Sequence, residues 1–219
     1  MHSLITGANR GIGLALTRQY LSRGDEVTAV CRQASAELRE LDCTIIEGID
    51  VTDPAALAQL RDQLDGKGID LLINNAGLLH RESLGDLSID SIQKQFNVNA
   101  IGPLLVTDTL RSHLKRGSKV ALITSRMGSM ADNGSGAYYG YRMSKAALNA
   151  AGVSLANDLK DDGIAVGLLH PGFVQTDMVN HAGDISADEA AQRLVQRIDE
   201  LTLENTGSFR HSNGESLPF

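Results

Sequence analysis

The run Thr6-Gly7-Ala8-Asn9-Arg10-Gly11-Ile12-Gly13 decides how the rest of this chain is read. The apolar pair Leu4-Ile5 leads into it. Behind it, Ile12-Gly13-Leu14-Ala15-Leu16-Thr17-Arg18-Gln19-Tyr20-Leu21 carries apolar residues at helical spacing. The order is strand, glycine turn, helix. Such a turn aims backbone N–H groups and the positive end of a helix dipole at an anion, and glycine lets a phosphate approach the main chain. The spacing is GxxxGxG, which is neither the common GxGxxG fingerprint nor a GxxxxGK[ST] loop. A nucleotide diphosphate is the ligand it suits; a glycine-rich turn that holds no ligand is the plainer alternative.

Working outward, apolar runs rich in β-branched residues alternate with longer helical patterns. Strands are expected at Ser3–Thr6, Val27–Cys31, Thr44–Glu47, Ile69–Asn74, Lys119–Thr124, Ala165–Leu169 and near Ser208–Arg210. Helices are expected at Ile12–Ser22, Pro54–Leu64, Ile89–Leu114, Tyr138–Lys160 and Ala187–Leu201. Gly24, Gly66, Gly117 and Gly163 each follow a helix-like segment, where a left-handed stop belongs. Nearly every strand is apolar throughout, as a parallel strand covered on both faces must be. The alternation implies right-handed βαβ units. The expected fold is therefore α/β: one doubly wound domain over residues 1–219, with a central parallel sheet of about seven strands and helices on both faces. Ligands of such a sheet bind outside the carboxyl ends of its strands.

Composition limits the alternatives. The 219 residues are 42% hydrophobic and 21% charged, which suits one globular core. A net charge of −7 argues against nucleic-acid binding. No apolar run approaches the ~20 residues that span a bilayer. The first strand begins almost at Met1, so no leader peptide is expected and the cytoplasm is the expected compartment. Cys31 and Cys43 form no CxxC, and no His/Cys cluster has metal-ligand spacing, so no metal is expected and both thiols should be reduced.

The end of the second strand reads Val27-Thr28-Ala29-Val30-Cys31-Arg32. A site for NAD would place an acid there to hold the free ribose 2′-hydroxyl. None is present. Arg32 follows the strand and Arg10 stands in the turn, and two guanidinium groups suit a 2′-phosphate. NADP(H) is favoured, unless Arg32 is a solvated surface residue and Arg10 an ordinary turn residue.

Tyr141-Arg142-Met143-Ser144-Lys145 puts Tyr141 and Lys145 on one helix face. A phenol has a reference pKa of ~10, and a nearby ammonium, with the positive nicotinamide ring of oxidised coenzyme, would favour phenolate and lower it. A phenol so tuned can exchange a proton with a carbonyl oxygen. By itself YxxxK is a weak pattern. Ser125 closes the strand Val120–Thr124, where its hydroxyl can either polarise a carbonyl or cap the turn Arg126-Met127-Gly128. Asn99 lies inside an apolar helix pattern and must find partners for its amide. It could hold a water leading from Lys145 or satisfy a bend in the helix. Asn74-Asn75-Ala76-Gly77 ends a strand with small residues, suited to close approach of a ribose or ring, or to an ordinary turn. His170 before Pro171 reads as structural. Leu78, Leu79, Arg126, Met127, Tyr138, Met178 and Val179 are candidate substrate walls.

Together these pieces resemble the short-chain dehydrogenase/reductase family over nearly the whole chain. The motifs are Thr6–Gly13, Asp50-Val51, Asn74–Gly77, Asn99, Ser125, Tyr141 with Lys145, and Pro171-Gly172-Phe173-Val174-Gln175-Thr176. Thr6–Gly13, Tyr141-Arg142-Met143-Ser144-Lys145-Ala146-Ala147-Leu148-Asn149 and the ending Gly207-Ser208-Phe209 to Leu217-Pro218-Phe219 are most similar to the group of sniffer-type carbonyl reductases and bacterial C-factor. The resemblance implies that Tyr141 is the general acid/base, that Lys145 binds the nicotinamide ribose and lowers the Tyr141 pKa, that Ser125 orients the carbonyl and that Asn99 holds a relay water. It also implies that Gly7, Asn9, Arg10, Gly11, Ile12 and Gly13 hold the phosphates, that Asp50 and Val51 meet adenine, and that Asn75, Ala76 and Gly77 line the ribose side. Val174 and Thr176, after Pro171, would meet the carboxamide. The implied activity is NADPH-dependent reduction of an aldehyde or ketone, with a homodimer or homotetramer compatible with the long apolar helices. A coenzyme-binding signalling protein with weak turnover and an NAD-dependent alcohol dehydrogenase are the alternatives. The chain departs from the family in the long stretch between Ser125 and Tyr141, where Gly128–Gly136 must loop out for the two hydroxyls to converge. The substrate loop, about 177–187, is short.

Overall fold

The computed structural model describes residues Met1–Phe219. Seven parallel strands, β1 (His2–Thr6), β2 (Glu26–Val30), β3 (Thr44–Ile46), β4 (Ile69–Asn74), β5 (Leu114–Ile123), β6 (Ala165–His170) and β7 (Phe209–His211), form one sheet. Their order is β3-β2-β1-β4-β5-β6-β7, every neighbouring pair parallel. The order reverses between β1 and β4, which opens a crevice at the carboxyl ends of those strands.

The continuous apolar strands follow from the layers. Successive strand side chains point to opposite faces. Leu4, Leu72, Val120 and Leu168 enter one core, whereas Ile5, Leu71, Ile73, Ala121 and Leu169 enter the other. Helices α3 (Pro54–Gln63), α5 (Gly102–Thr109) and α6 (Tyr139–Asp158) cover the first face, and α1 (Gly11–Ser22) and α7 (Ala187–Asp199) the second. Each fully buried leucine or isoleucine contributes roughly 1.5–3 kcal/mol relative to leaving it exposed. A short helix, α2 (Ala36–Arg39), and the helix α4 (Ile89–Phe96) complete the set.

Two expectations need correcting. Ile89–Leu114 is not one helix. A π turn at Asn97–Ile101 separates α4 from α5, and Leu114 already belongs to β5. Pro103 is the physical reason, because it has no N–H to give to the Asn99 carbonyl four residues earlier and its ring crowds that carbonyl. Gly117 does not stop a helix. It sits at φ +91 within β5, where the pairing with β4 jumps from Ile69↔Leu114 to Leu71↔Lys119. Gly24, Gly66 and Gly163 do take left-handed conformations.

Candidate active site

Asp53, Ser88 and Ser186 cap α3, α4 and α7 with their side chains, but nothing caps α1. The first N–H groups of α1 open instead toward a cavity of about 1840 Å³ at the carboxyl ends of the strands. Gly7 and Gly11 bend the chain there at φ +65 and +52. A Cβ on Gly13 would lie 2.2 Å from the Gly7 carbonyl oxygen, so the turn closes on itself only without a side chain. Asn75 staples it: its Nδ2 donates to the Thr6 and Gly7 carbonyls, each at 3.1 Å. The Asn75 amide is thus committed to the turn.

All of the catalytic and coenzyme-binding residues named from the sequence line this cavity except Gly13 and Asn99. Gly13 packs beneath the turn. Asn99 stands behind Gly77, whose Cβ would fall 3.2 Å from Asn99 Oδ1. The Asn99 side chain is bonded at both ends: Oδ1 accepts from Leu78 N at 2.8 Å, and Nδ2 donates to Leu78 O at 2.8 Å and to Ser144 Oγ at 3.0 Å. Its amide therefore secures the Gly77-Leu78 strap, and its main-chain carbonyl loses an α-helical donor to Pro103.

One end of the cavity carries Arg10, Arg32, Asp50 and Val51. Arg10 lies 3.5 Å from Asp177 with both side chains exposed. Asp50 is held below the usual carboxylate range, chiefly by the Thr52 N–H at 2.9 Å. At the other end stand Ser125, Tyr141 and Lys145, all buried. Lys145 Nζ donates to the Ile123 carbonyl at 2.8 Å and lies 5.8 Å from the Tyr141 ring centre. The loop between Ser125 and Tyr141 bulges outward and leaves the Ser125 side chain near enough to the phenol to lower its pKa. Ser125 also caps the following turn through Met127 N at 3.1 Å, so both readings of this serine hold.

Of the two charges expected to make the phenol acidic, the chain itself supplies only the Lys145 ammonium. Burial dominates and pushes Tyr141 up to about 12, against the smaller pull of Ser125. Burial likewise pushes Lys145 down to about 8. An isolated lysine ammonium is costly to desolvate, and so is a phenolate.

The loop Pro171–Thr176 forms the remaining wall. Thr176 Cγ2 would stand 3.2 Å from a Cβ on Gly11, which brings this loop against the glycine turn. The short segment beyond it is tied back by Gln175 N to Ile185 O at 3.0 Å and Asp184 N to Phe173 O at 2.8 Å. Leu78, Leu79, Met127, Tyr138, Met178 and Val179 line the cavity, but Arg126 does not. Arg126 turns away to Asp132 at 2.6 Å. His170 is buried without a partner for Nδ1 and packs edge-on to His211 at 4.7 Å. Sequence reasoning missed Arg142, which organises the long loop by donating to Ser135 Oγ at 2.8 Å and to the Ala137 carbonyl at 3.2 Å. It also missed Glu82, a buried carboxylate in a segment that looks solvated by composition.

Residues 2–190 match the short chain dehydrogenase family model. The chain is 40% identical over 220 residues to a 1-hydroxy-2-glutathionyl-2-methyl-3-butene dehydrogenase of Rhodococcus sp. (strain AD45), covering 98% of this chain and 97% of that one. It is 42% identical over 154 residues to C-signal of Myxococcus xanthus, covering 69% and 93%. An NADPH-bound carbonyl reductase from chicken fatty liver superposes with a TM-score of 0.90 at 29% identity, over 100% and 98% of the two chains.

Proposed function

We propose that this chain, which belongs to the short-chain dehydrogenase family, uses NADP(H) to reduce an aldehyde or ketone to an alcohol, with Tyr141 as the proton donor. The observation that carries the reading is the buried Ser125–Tyr141–Lys145 group at one end of a cavity whose other end holds two guanidinium groups. A dinucleotide suits the cavity because the glycine turn leaves no side chain in the cradle and α1 leaves its N–H groups uncapped. The volume of about 1840 Å³ exceeds the ~1,000 Å³ of a large drug-like pocket, which leaves room for coenzyme and substrate together. Arg10 and Arg32 would hold the 2′-phosphate, Asp50 and Val51 the adenine, and Val174 and Thr176 the carboxamide. The likeness to an NADPH-bound carbonyl reductase supports the same assignment.

When bound, the coenzyme supplies the hydride. The chain's residues manage the proton and the charge. A phenol with a pKa of about 12 keeps its proton at neutral pH and is ready to give it to a carbonyl oxygen that is becoming an alkoxide. The Ser125 hydroxyl, beside that phenol, would donate to the same oxygen and stabilise its developing charge. The Lys145 ammonium favours the phenolate left behind. Run backwards, Tyr141 takes the proton of an alcohol, in keeping with the dehydrogenase name of the Rhodococcus relative.

The likeness to C-signal favours a second reading, a coenzyme-binding regulator with weak turnover. NADPH consumption with a panel of aldehydes and ketones separates the two. Reductase activity gives carbonyl-dependent loss of NADPH absorbance, whereas binding with no turnover across the panel supports the regulator.

A further inference from the structure

The helix that carries Tyr141 begins badly. Its capping residue, Tyr138, offers no side-chain hydrogen bond, and Ala137 and Tyr138 both sit at φ +53. Two successive non-glycine residues in the left-handed region persist only where their surroundings hold them. Arg142 holds the Ala137 carbonyl at 3.2 Å, and Glu82, from a loop far away in sequence, holds the rest. Its backbone carbonyl accepts from Tyr138 N at 2.8 Å. Its carboxylate Oε2 accepts from Gly140 N at 3.1 Å, the second residue of α6 and the one before Tyr141.

The carboxylate is 2% exposed as a residue and has no cation beside it; donors satisfy it instead. Oε1 accepts from Ser91 Oγ at 2.6 Å and from Gln95 Nε2 at 2.6 Å. Gln95, fully buried in α4, accepts in turn from His80 N at 2.9 Å through Oε1. A Cβ on Gly140 would lie 2.4 Å from Gln95 Nε2 and 3.0 Å from Ile92 Cα, so α6 starts flush against α4 with this network in the seam. A negative group at a helix N-terminus complements the dipole and satisfies an open N–H. Here that group is borrowed from elsewhere in the chain. We propose that Glu82 is the positioning residue of the site, capping α6 from outside so that the Tyr141 hydroxyl stands where Ser125 and the substrate need it.

This inference rests on the proposed role of Tyr141, so its test carries one readout that needs no turnover. Glu82→Ala and Glu82→Gln are made in the full chain, each with Tyr141 and with Tyr141→Phe. A displacement of the order of 1 Å can cost ~100-fold, so Glu82→Ala should lower kcat by roughly ten- to a hundredfold with NADPH affinity unchanged. Glu82→Gln keeps the length and one acceptor oxygen and should recover much of that loss. In the Tyr141→Phe background neither change should lower residual turnover further, because the residue acts through the phenol. Amide hydrogen exchange should quicken at Tyr139–Arg142 in Glu82→Ala and stay slow at Leu148–Ala156. If Glu82→Ala does not fold, the same comparisons are read from Glu82→Gln with smaller effects. Wild-type kcat in both variants, an equal loss with and without Tyr141, or unchanged exchange at Tyr139–Arg142 overturns the proposal. If the wild type turns over no carbonyl, the reductase reading fails, and the exchange result alone decides whether Glu82 caps the helix.

Discussion

Lys145 lies one helical turn beyond Tyr141, its Nζ 5.8 Å from the ring centre and bonded at 2.8 Å to the Ile123 carbonyl. The pair is buried together, and burial moves each toward its neutral form: the phenol up to about 12, the ammonium down to about 8. A proton donor that keeps its proton at neutral pH is what carbonyl reduction requires.

Stability should carry the mark of this pair. The folded pKa of Lys145 is depressed from 10.5 to about 8, so between those values the unfolded chain binds more protons and stability rises with pH. The folded pKa of Tyr141 is raised from 10.0 to about 12, so its contribution is full below 10 and is lost as pH climbs toward 12. Lys119 adds to the rise and the buried thiols Cys31 and Cys43 oppose it, so the Lys145 share is read as the difference between wild type and Lys145→Met in denaturant melts from pH 8 to 10.5, the substitution flattening the profile. A Lys145→Met protein with the same rise would show that another group is responsible.

The two directions of reaction should respond differently to alkali. Reduction draws on the protonated phenol, whose pKa of about 12 should hold its rate level up to pH 10, whereas alcohol oxidation needs a base and should accelerate as pH rises. Steady-state rates in both directions, from pH 6 to 10, check this. Parallel profiles would contradict it.

Coenzyme choice should move with Arg32. A hydrogen bond to a charged group contributes about 1.5–3 kcal/mol, so Arg32→Asp should lower the NADPH-over-NADH preference by roughly ten- to a hundredfold or more. Fluorescence titration with both coenzymes reads the ratio. An unchanged ratio would remove the argument for a 2′-phosphate site at this position.

The glycine turn should not tolerate a methyl group. Gly13→Ala places Cβ 2.2 Å from the Gly7 carbonyl, and overpacking of this kind costs about 1–3 kcal/mol. A lower melting temperature and coenzyme binding weakened by at least about tenfold are expected. Normal binding and melting would mean that the turn can open without loss.

Much of this was legible in the sequence, for local reasons. Leu71-Leu72-Ile73 is apolar at every position because each residue meets one of two cores. The Gly7–Gly13 turn and the Tyr141/Lys145 spacing are likewise short-range patterns, and both reach the cavity. What escaped was non-local or masked by a stronger signal. Pro103 stood in plain view, yet the apolar spacing around it suggested an unbroken helix. Asn99 and Asn75 look like free polar groups until their partners, Leu78 and the Thr6 and Gly7 carbonyls, arrive from other segments. Arg126 follows a strand end as a substrate-wall residue would, but Asp132 takes it. Glu82 sits among polar neighbours in sequence and is buried only because α4 and α6 close over it.

The most direct measurement is single-turnover oxidation of NADPH by a carbonyl substrate in the wild type and in Tyr141→Phe, with coenzyme affinity measured on the same samples. General acid catalysis contributes typically 10²–10⁴-fold, so the account predicts a loss of about that size with NADPH binding preserved. Comparable turnover without the phenolic hydroxyl would contradict it, because the proton would then come from elsewhere.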